Sequence, residues 1–118
     1  MSKSGTNISV SQNFLHNEKL VDSLVAIAGI TEKDTVYEIG PGYGIITHSL
    51  AKTGASVVAI ELDRDLYKKL TEEFTNKKRV NVRHANALTY SYPKEEEIIF
   101  FSNIPFNITA EIMTKVLS

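Results

Sequence analysis

Three glycines at alternate positions, Gly40, Gly42 and Gly44, follow a short apolar run in the first half of the chain. The β-branched and aromatic residues of that run, Val36–Ile39, predict a buried strand, and the apolar spacing after Gly44 predicts a helix. Glycine tolerates positive φ angles and lets a ligand approach bare backbone. The sequence therefore predicts a strand, a tight turn and a helix N-terminus, with a ligand lying across the turn.

An acidic residue follows the glycines at a separation typical of nucleoside-binding sheets. Glu61 lies 21 positions beyond Gly40, at the end of a second apolar run, Ser56–Glu61. A carboxylate at the tip of a second parallel strand can accept hydrogen bonds from both hydroxyls of a ribose. This spacing predicts a cofactor that contains adenosine.

The glycine spacing and a second acid, Glu38, indicate which adenosine cofactor to expect. Dinucleotide sites space their glycines G-x-G-x-x-G around a pyrophosphate, whereas this chain has G-x-G-x-G preceded by Glu38. A carboxylate at that point repels a pyrophosphate and suits a cofactor with an ammonium group, such as the methionine end of S-adenosyl-L-methionine. Nicotinamide binding and a purely structural turn remain as alternatives.

The segment Asn103, Ile104, Pro105, Phe106 carries groups suited to chemistry on an amino group. The exocyclic amino group of a base is a poor nucleophile because its lone pair is delocalised into the ring, so a site needs acceptors for both N–H bonds. The side-chain oxygen of Asn103 and a nearby backbone carbonyl, in a turn that Pro105 stiffens, can supply them. An aromatic face at Phe106 can stabilise the growing positive charge by about 0.5–2 kcal/mol. Taken alone, this segment also fits an ordinary turn beside a core phenylalanine.

Alternating strand and helix patterns must position these residues. Apolar spacing predicts strands at 36–39, 56–61, 80–84 and 98–101, and helices at about 17–28, at about 44–52, from 63 and from 109. Such alternation from residue 35 onward predicts an α/β fold with a parallel sheet and right-handed crossovers. In such a sheet the ligand crevice lies at the carboxyl ends of the strands, where Gly40, Gly42, Glu61, Asn86 and Asn103 all fall.

Composition limits the class of protein. The chain has 118 residues, a net charge of −1, a pI near 6.3 and no cysteine. This length supports one modest core, and the near-neutral charge excludes a general electrostatic attraction to nucleic acid. The basic run Asn76–Arg79 is typical of a helix C-terminus, and residues 1–16 have the composition of a frayed arm. Because no apolar run has signal-peptide or membrane length, we expect a soluble, cytoplasmic protein.

Four segments together resemble the ribosomal RNA adenine N6-methyltransferases. They are Ser11–Leu15, Glu38–Gly44, Ile60–Asp63 and Ser102–Thr109. The resemblance is closest to the Erm branch, which methylates an adenine in 23S rRNA and gives resistance to macrolide, lincosamide and streptogramin B antibiotics. The KsgA-type small-subunit dimethyladenosine transferases are the alternative, and they commonly have leucine where this chain has Ile104. The implied fold is α/β, a Rossmann-like class I methyltransferase fold with a parallel sheet and flanking helices.

The resemblance implies roles for individual residues. The arm, residues 1–16, is expected to close over the cofactor, and Asn103 and Phe106 are expected to serve the target adenine as well. Where the family usually has an aspartate that grips the adenine amino group of the cofactor, this chain has Asn86 followed by Ala87, which implies weaker binding. The implied contacts to S-adenosyl-L-methionine are Gln12, Asn13, Leu15, Glu38, Gly40, Gly42, Glu61, Leu62, Asn86, Ala87 and Asn103.

Members of the family that this chain resembles continue through further strands and a helical C-terminal domain that supplies much of the basic RNA surface. We therefore expect residues 17–118 to be a partial S-adenosylmethionine-binding domain that retains most cofactor contacts and lacks full methylation activity. The expected partner is rRNA, with the large subunit favoured. Neither a metal nor a membrane is expected, and the full-length form is expected to be a monomer.

Overall fold

The computed structural model describes residues 17–94 and 97–102. In these ranges helices and strands alternate, as the sequence predicts. The elements are α1 (Glu18–Ala28), β1 (Thr35–Ile39), α2 (Ile45–Lys52), β2 (Ser56–Glu61), α3 (Arg64–Glu73), β3 (Val80–His84) and β4 (Ile99–Ser102). None of these helices is long and apolar enough to cross a membrane.

The four described strands form one parallel sheet in the order β3-β2-β1-β4. Ile39 pairs with Ile60 on one side and with Ser102 on the other, and Glu61 pairs with His84. The order reverses about β1, since the chain first builds outward through β2 and β3 and then returns to the opposite side of β1. The predicted parallel α/β sheet is confirmed, with β4 one residue later than expected.

The first helix buries only part of its apolar surface. Asn17 caps α1 by accepting a hydrogen bond from the backbone N–H of Leu20. Val21 and Val25 are buried, whereas Leu20, Leu24 and Ile27 are 46%, 42% and 81% exposed. The apolar stripe of α1 is therefore wider than the surface that the described elements cover.

Two apolar clusters cover the two faces of the sheet. On one face, residues of all three helices pack on the strands around Val36, Leu50 and Val57, which are fully buried. On the other face, Tyr37 packs against Phe100 and against Tyr90 and Tyr92 from the segment after β3, with ring centroids 5.6–6.1 Å from that of Tyr37. The segment that looks polar in sequence therefore supplies aromatic rings to the core.

The basic run Asn76–Arg79 does not close a helix, which corrects the prediction from sequence. The helix α3 ends at Glu73, and Phe74 buries its ring as the residue that caps it. Arg79 instead donates from Nε to the carbonyl of Gly54 at 2.8 Å and from Nη2 to the carbonyl of Glu32 at 2.9 Å. Those carbonyls lie in the turns before β2 and β1, so Arg79 joins the loops at the amino end of the sheet, opposite the glycine turn.

We expect Arg79→Ala to lower the free energy of unfolding by about 1 kcal/mol, because two carbonyls lose a hydrogen-bond donor that water only partly replaces. The change is measured as a lower urea midpoint in equilibrium unfolding. Lys78→Ala removes an exposed neighbouring cation and serves as the control. Equal midpoints for the two variants would show that the guanidinium does not hold these turns together.

Candidate functional site

The parallel sheet brings seven of the predicted site residues to one region. Because all four described strands point the same way, the segments that follow them lie at the same edge of the sheet. The seven residues are Glu38, Gly40, Gly42, Glu61, Leu62, Asn86 and Ala87. The other predicted residues, Gln12, Asn13, Leu15, Asn103, Ile104, Pro105 and Phe106, lie outside the described residues.

The three glycines after β1 share positive φ angles but meet different surroundings. Gly40, Gly42 and Gly44 have φ values of 69°, 59° and 89°. A Cβ at Gly42 would meet no atom of the described residues within 4 Å, whereas a Cβ at Gly44 would lie 2.9 Å from Leu70. Gly42 therefore faces open space that a ligand can enter, and Gly44 allows α2 to pack closely on α3.

The carboxylate of Glu61 joins the glycine turn to the end of β2. Its Oε1 accepts a hydrogen bond from the backbone N–H of Gly42 at 3.1 Å, and its Oε2 accepts one from the N–H of Asp63 at 2.9 Å. The side chain is 7% exposed. Each oxygen has a second lone pair, so the fixed carboxylate can still accept a hydrogen bond from a ligand hydroxyl.

Glu38 is completely buried where β1 leads into the glycine turn. The hydroxyl of Thr47 in α2 donates to its Oε1, and its Oε2 has no hydrogen-bond partner within the described ranges. Burial raises the pKa of Glu38 to about 8, with the Thr47 hydrogen bond opposing the rise and the charge of Glu61 adding to it. Glu38 is therefore mainly protonated at pH 7, and pairing with an ammonium group requires it to lose that proton.

The segment after β3 is fixed next to Glu61. The N–H of Ala85 donates to the carbonyl of Glu61 at 3.1 Å, and Asn86 Oδ1 accepts from the N–H of Leu88 at 2.9 Å. The hydroxyl of Tyr92 donates to the carbonyl of Ala87 at 2.8 Å. Burial raises the pKa of Tyr92 to about 12, so this hydroxyl remains a donor at physiological pH.

Sequence reasoning missed a contact between α3 and the end of β3. The rings of Tyr67 and His84 stack with centroids 5.2 Å apart, and His84 Nε2 lies 3.1 Å from the carbonyl of Leu62. These contacts fix the loop that carries Leu62, whose side chain is 65% exposed. Residue spacing carries no signal for this stack, because Tyr67 and His84 belong to different elements.

A separate groove of about 540 Å³ lies between α1 and α2. Tyr43, His48 and Lys52 contribute to its lining. Lys52 Nζ lies 3.0 Å from a carboxylate oxygen of Asp22, and His48 contacts Glu73. Within this groove Lys52 is thus paired with Asp22, while His48 is paired with Glu73 of α3. None of the lining residues in the described part of the chain belongs to the predicted site.

The strand order, the glycine turn after β1 and the acid that ends β2 define a Rossmann-like class I methyltransferase fold. The crystal structure of the 23S rRNA methyltransferase ErmE superposes on this chain with a TM-score of 0.75 at 30% sequence identity, over 84% of this chain and 40% of that one. The sequence profile of the family described as Ribosomal RNA adenine dimethylase matches residues 3–118. The chain belongs to this family, whose members are S-adenosylmethionine-dependent methyltransferases.

Two relatives of this chain have different names, and one of the names specifies the small ribosomal subunit. An rRNA adenine N-6-methyltransferase of Escherichia coli is 37% identical over 111 residues, which cover 94% of this chain and 45% of the relative. A Ribosomal RNA small subunit methyltransferase A of Hahella chejuensis (strain KCTC 2396) is 36% identical over 111 residues, covering 91% of this chain and 41% of the relative. The chain therefore spans less than half the length of these relatives.

The pKa of Glu38 predicts a pH dependence of stability. Between the ordinary value of 4.5 and about 8, the folded chain holds a proton that the unfolded chain has lost. Stability therefore falls as pH rises through this window, by up to roughly 1.4 kcal/mol per pH unit, and the decline ends above about pH 8. Glu38→Gln keeps a neutral side chain of the same shape, so its free energy of unfolding should lack this part of the decline.

Urea unfolding at several pH values between 4.5 and 9 measures this difference. Glu72→Gln, which alters an exposed glutamate of α3, is the matched control and should follow the parent chain. If the stability of Glu38→Gln falls across the window as steeply as that of the parent chain, Glu38 does not hold the proton.

Proposed function

We propose that this chain binds S-adenosyl-L-methionine at the carboxyl edge of the sheet and forms the cofactor-binding part of an enzyme that methylates N6 of an adenine in 23S rRNA. The observation that carries the proposal is the hydrogen bond between Glu61 and the backbone of Gly42. This bond holds a carboxylate, which would accept hydrogen bonds from ribose hydroxyls, next to a glycine turn whose open side a cofactor would occupy. Membership of the rRNA adenine dimethylase family supports the same reaction class.

The strand order suggests how the cofactor would lie. Glu61 at the end of β2 would hold the ribose, which leaves β3 on one side and β1 on the other. Glu38 lies near the end of β1, and the glycine turn follows that strand, so the amino acid part of the cofactor would lie there. The purine would lie beside Asn86 and Ala87. When bound, the cofactor supplies a methyl group activated by a sulfonium.

Glu38 would balance the ammonium group of the cofactor. Its Oε2 is buried without a hydrogen-bond partner within residues 17–94 and 97–102, so this oxygen can accept from a new donor once Glu38 loses its proton. A nearby cation stabilises the ionised form of a carboxyl group and lowers its pKa. Cofactor binding would therefore favour the loss of the Glu38 proton.

The segment after β4 would hold the target base. Asn103 directly follows Ser102, which pairs with Ile39 next to the glycine turn. We propose that the Asn103 side-chain oxygen and a backbone carbonyl accept hydrogen bonds from the two N–H groups of the target amino group, within a turn formed by Ile104 and Pro105. Phe106 would stabilise the positive charge that grows on the nitrogen. The arm, with Gln12, Asn13 and Leu15, would close over the cofactor.

The large-subunit RNA is the favoured substrate, and antibiotic resistance of the macrolide, lincosamide and streptogramin B type would follow from its methylation. The identity of 30% to the 23S rRNA methyltransferase ErmE supports this choice, as does Ile104. Small-subunit rRNA is the second candidate, because the small subunit methyltransferase A of Hahella chejuensis is 36% identical to this chain.

Glu61→Gln should raise the dissociation constants of S-adenosyl-L-methionine and S-adenosyl-L-homocysteine at least about tenfold. Glutamine has one acceptor oxygen, so its NH₂ group must face either the Gly42 or the Asp63 N–H, and a ribose hydroxyl also loses an acceptor. Isothermal titration calorimetry measures the effect, with the urea midpoint of each variant recorded to confirm that it is folded.

Glu72→Gln makes the same charge change on the exposed surface of α3 and should leave both dissociation constants unchanged. Unaltered affinity in Glu61→Gln would contradict the ribose assignment. Saturable binding of NADH, without binding of S-adenosyl-L-methionine, would show that the site binds a nicotinamide cofactor and not a methyl donor.

Methyl transfer from tritiated S-adenosyl-L-methionine to purified, unmethylated rRNA tests the reaction itself. We expect label on N6 of an adenine in 23S rRNA, with slower turnover than that of the full-length Escherichia coli relative because this chain spans 45% of its length. Phe106→Ala should abolish the transfer and leave the affinity for S-adenosyl-L-homocysteine nearly unchanged.

Label confined to 16S rRNA would show that the substrate is the small-subunit rRNA and not the large-subunit rRNA. Turnover equal to that of the full-length relative would contradict the proposed partial activity. A collapse of cofactor affinity in Phe106→Ala would contradict the assignment of Phe106 to the target base.

A further inference from the structure

We infer that Asn86 presents a hydrogen-bond donor to the purine of the cofactor, so that the site accepts a 6-oxo purine nearly as well as adenine. The inference rests on the proposed function, since it requires the cofactor to lie along the carboxyl edge of the sheet. It concerns the specificity of the base end of that site. It assigns to Asn86 the recognition of the substituent at position 6 of the purine.

Glu61 has two neighbours along the edge of the sheet. The Gly42 N–H bonds its side chain on the β1 side, and the Ala85 N–H bonds its main-chain carbonyl on the β3 side. A ribose held by Glu61 carries its 5′ substituent toward one neighbour and its base toward the other. With the amino acid part at the glycine turn, the base lies beside the segment that begins at Ala85, and Asn86 is the exposed polar side chain that follows.

The orientation of the Asn86 amide is fixed by its own turn. Its Oδ1 accepts the Leu88 N–H at 2.9 Å, and only the oxygen of an amide can accept from an N–H group. The main-chain carbonyl of Asn86 accepts both the N–H of Thr89 at 3.0 Å and its hydroxyl at 3.2 Å. The turn is therefore held at three points, and the NH₂ group is the end of the amide that points away from it.

A donor in this place favours acceptors on the base. Adenine has an amino group at position 6 and an acceptor at N1, whereas hypoxanthine has an acceptor oxygen at position 6. An outward NH₂ group can pair with N1 of the first or with O6 of the second, but it faces the 6-amino group donor to donor. A carboxylate at position 86 would present an acceptor instead, which would bind the 6-amino group of adenine, whereas in hypoxanthine it would be repelled by O6 and could pair only with the N1–H group.

The substitution Asn86→Asp exchanges this donor for an acceptor with little change of shape. An aspartate oxygen can accept the Leu88 N–H as the asparagine oxygen does, so the turn is retained. Asn76→Asp is the matched control: it makes the same charge change at an exposed residue of the turn before β3, at the opposite end of the sheet.

Isothermal titration calorimetry of the 118-residue chain with S-adenosyl-L-homocysteine and with S-inosyl-L-homocysteine tests the inference. For the parent chain and Asn76→Asp, the two dissociation constants should differ by less than about fivefold. For Asn86→Asp, the ratio should move at least about tenfold in favour of the adenosine ligand, because an acceptor then meets the 6-amino group.

Two outcomes overturn the inference while the proposed function stands: a preference of the parent chain for the adenosine ligand by more than about tenfold, or an unchanged ratio in Asn86→Asp. A shift of the same size in Asn76→Asp also overturns it, since the effect would then come from charge alone. Failure of both ligands to bind the folded parent chain overturns the proposed function and this inference together.

Discussion

The candidate site depends on one carboxylate that two backbone N–H groups hold in place. Glu61 reaches the N–H of Gly42 in the turn after β1 and the N–H of Asp63 at the start of α3. Together with the hydrogen bond from the N–H of Gly40 to the carbonyl of Ile60 at 3.1 Å, it joins the glycine turn to the end of β2. Because the same oxygens keep lone pairs for a ribose, the group that fixes the loops is also the group that would bind the ligand. Structure and recognition are coupled through this side chain.

A second carboxyl group near the first behaves differently because its surroundings differ. Glu61 lies at the edge of the sheet and accepts two backbone donors, whereas Glu38 lies under α2 with one hydroxyl donor and a raised pKa of about 8. The two acids therefore suit different parts of one ligand. The first is prepared to accept neutral hydroxyls, and the second can acquire its charge when a cation arrives.

Local sequence patterns predict much of the fold and part of the site. The bounds of β2 are those predicted, because a continuous apolar run between turn residues admits one strand register, and Gly40, Gly42 and Glu61 fall where the strand ends place them. Local sequence patterns do not predict contacts between elements that are distant in the chain. The role of Arg79 depends on carbonyls 25 and 47 residues away, and the stack of Tyr67 on His84 depends on how α3 packs against β3. The protonation of Glu38 likewise follows from burial by α2, which spacing does not measure.

The proposed ligand site lies where Glu61 joins the glycine turn to β2. Backbone amide resonances of the isotope-labelled chain, recorded while S-adenosyl-L-homocysteine is added, test it most directly. We expect the largest chemical-shift changes at Gly42, Asp63 and Leu88, with none at Gly54, on the opposite edge of the sheet. Changes confined to the groove between α1 and α2, with Gly42 and Asp63 unaffected, would contradict it.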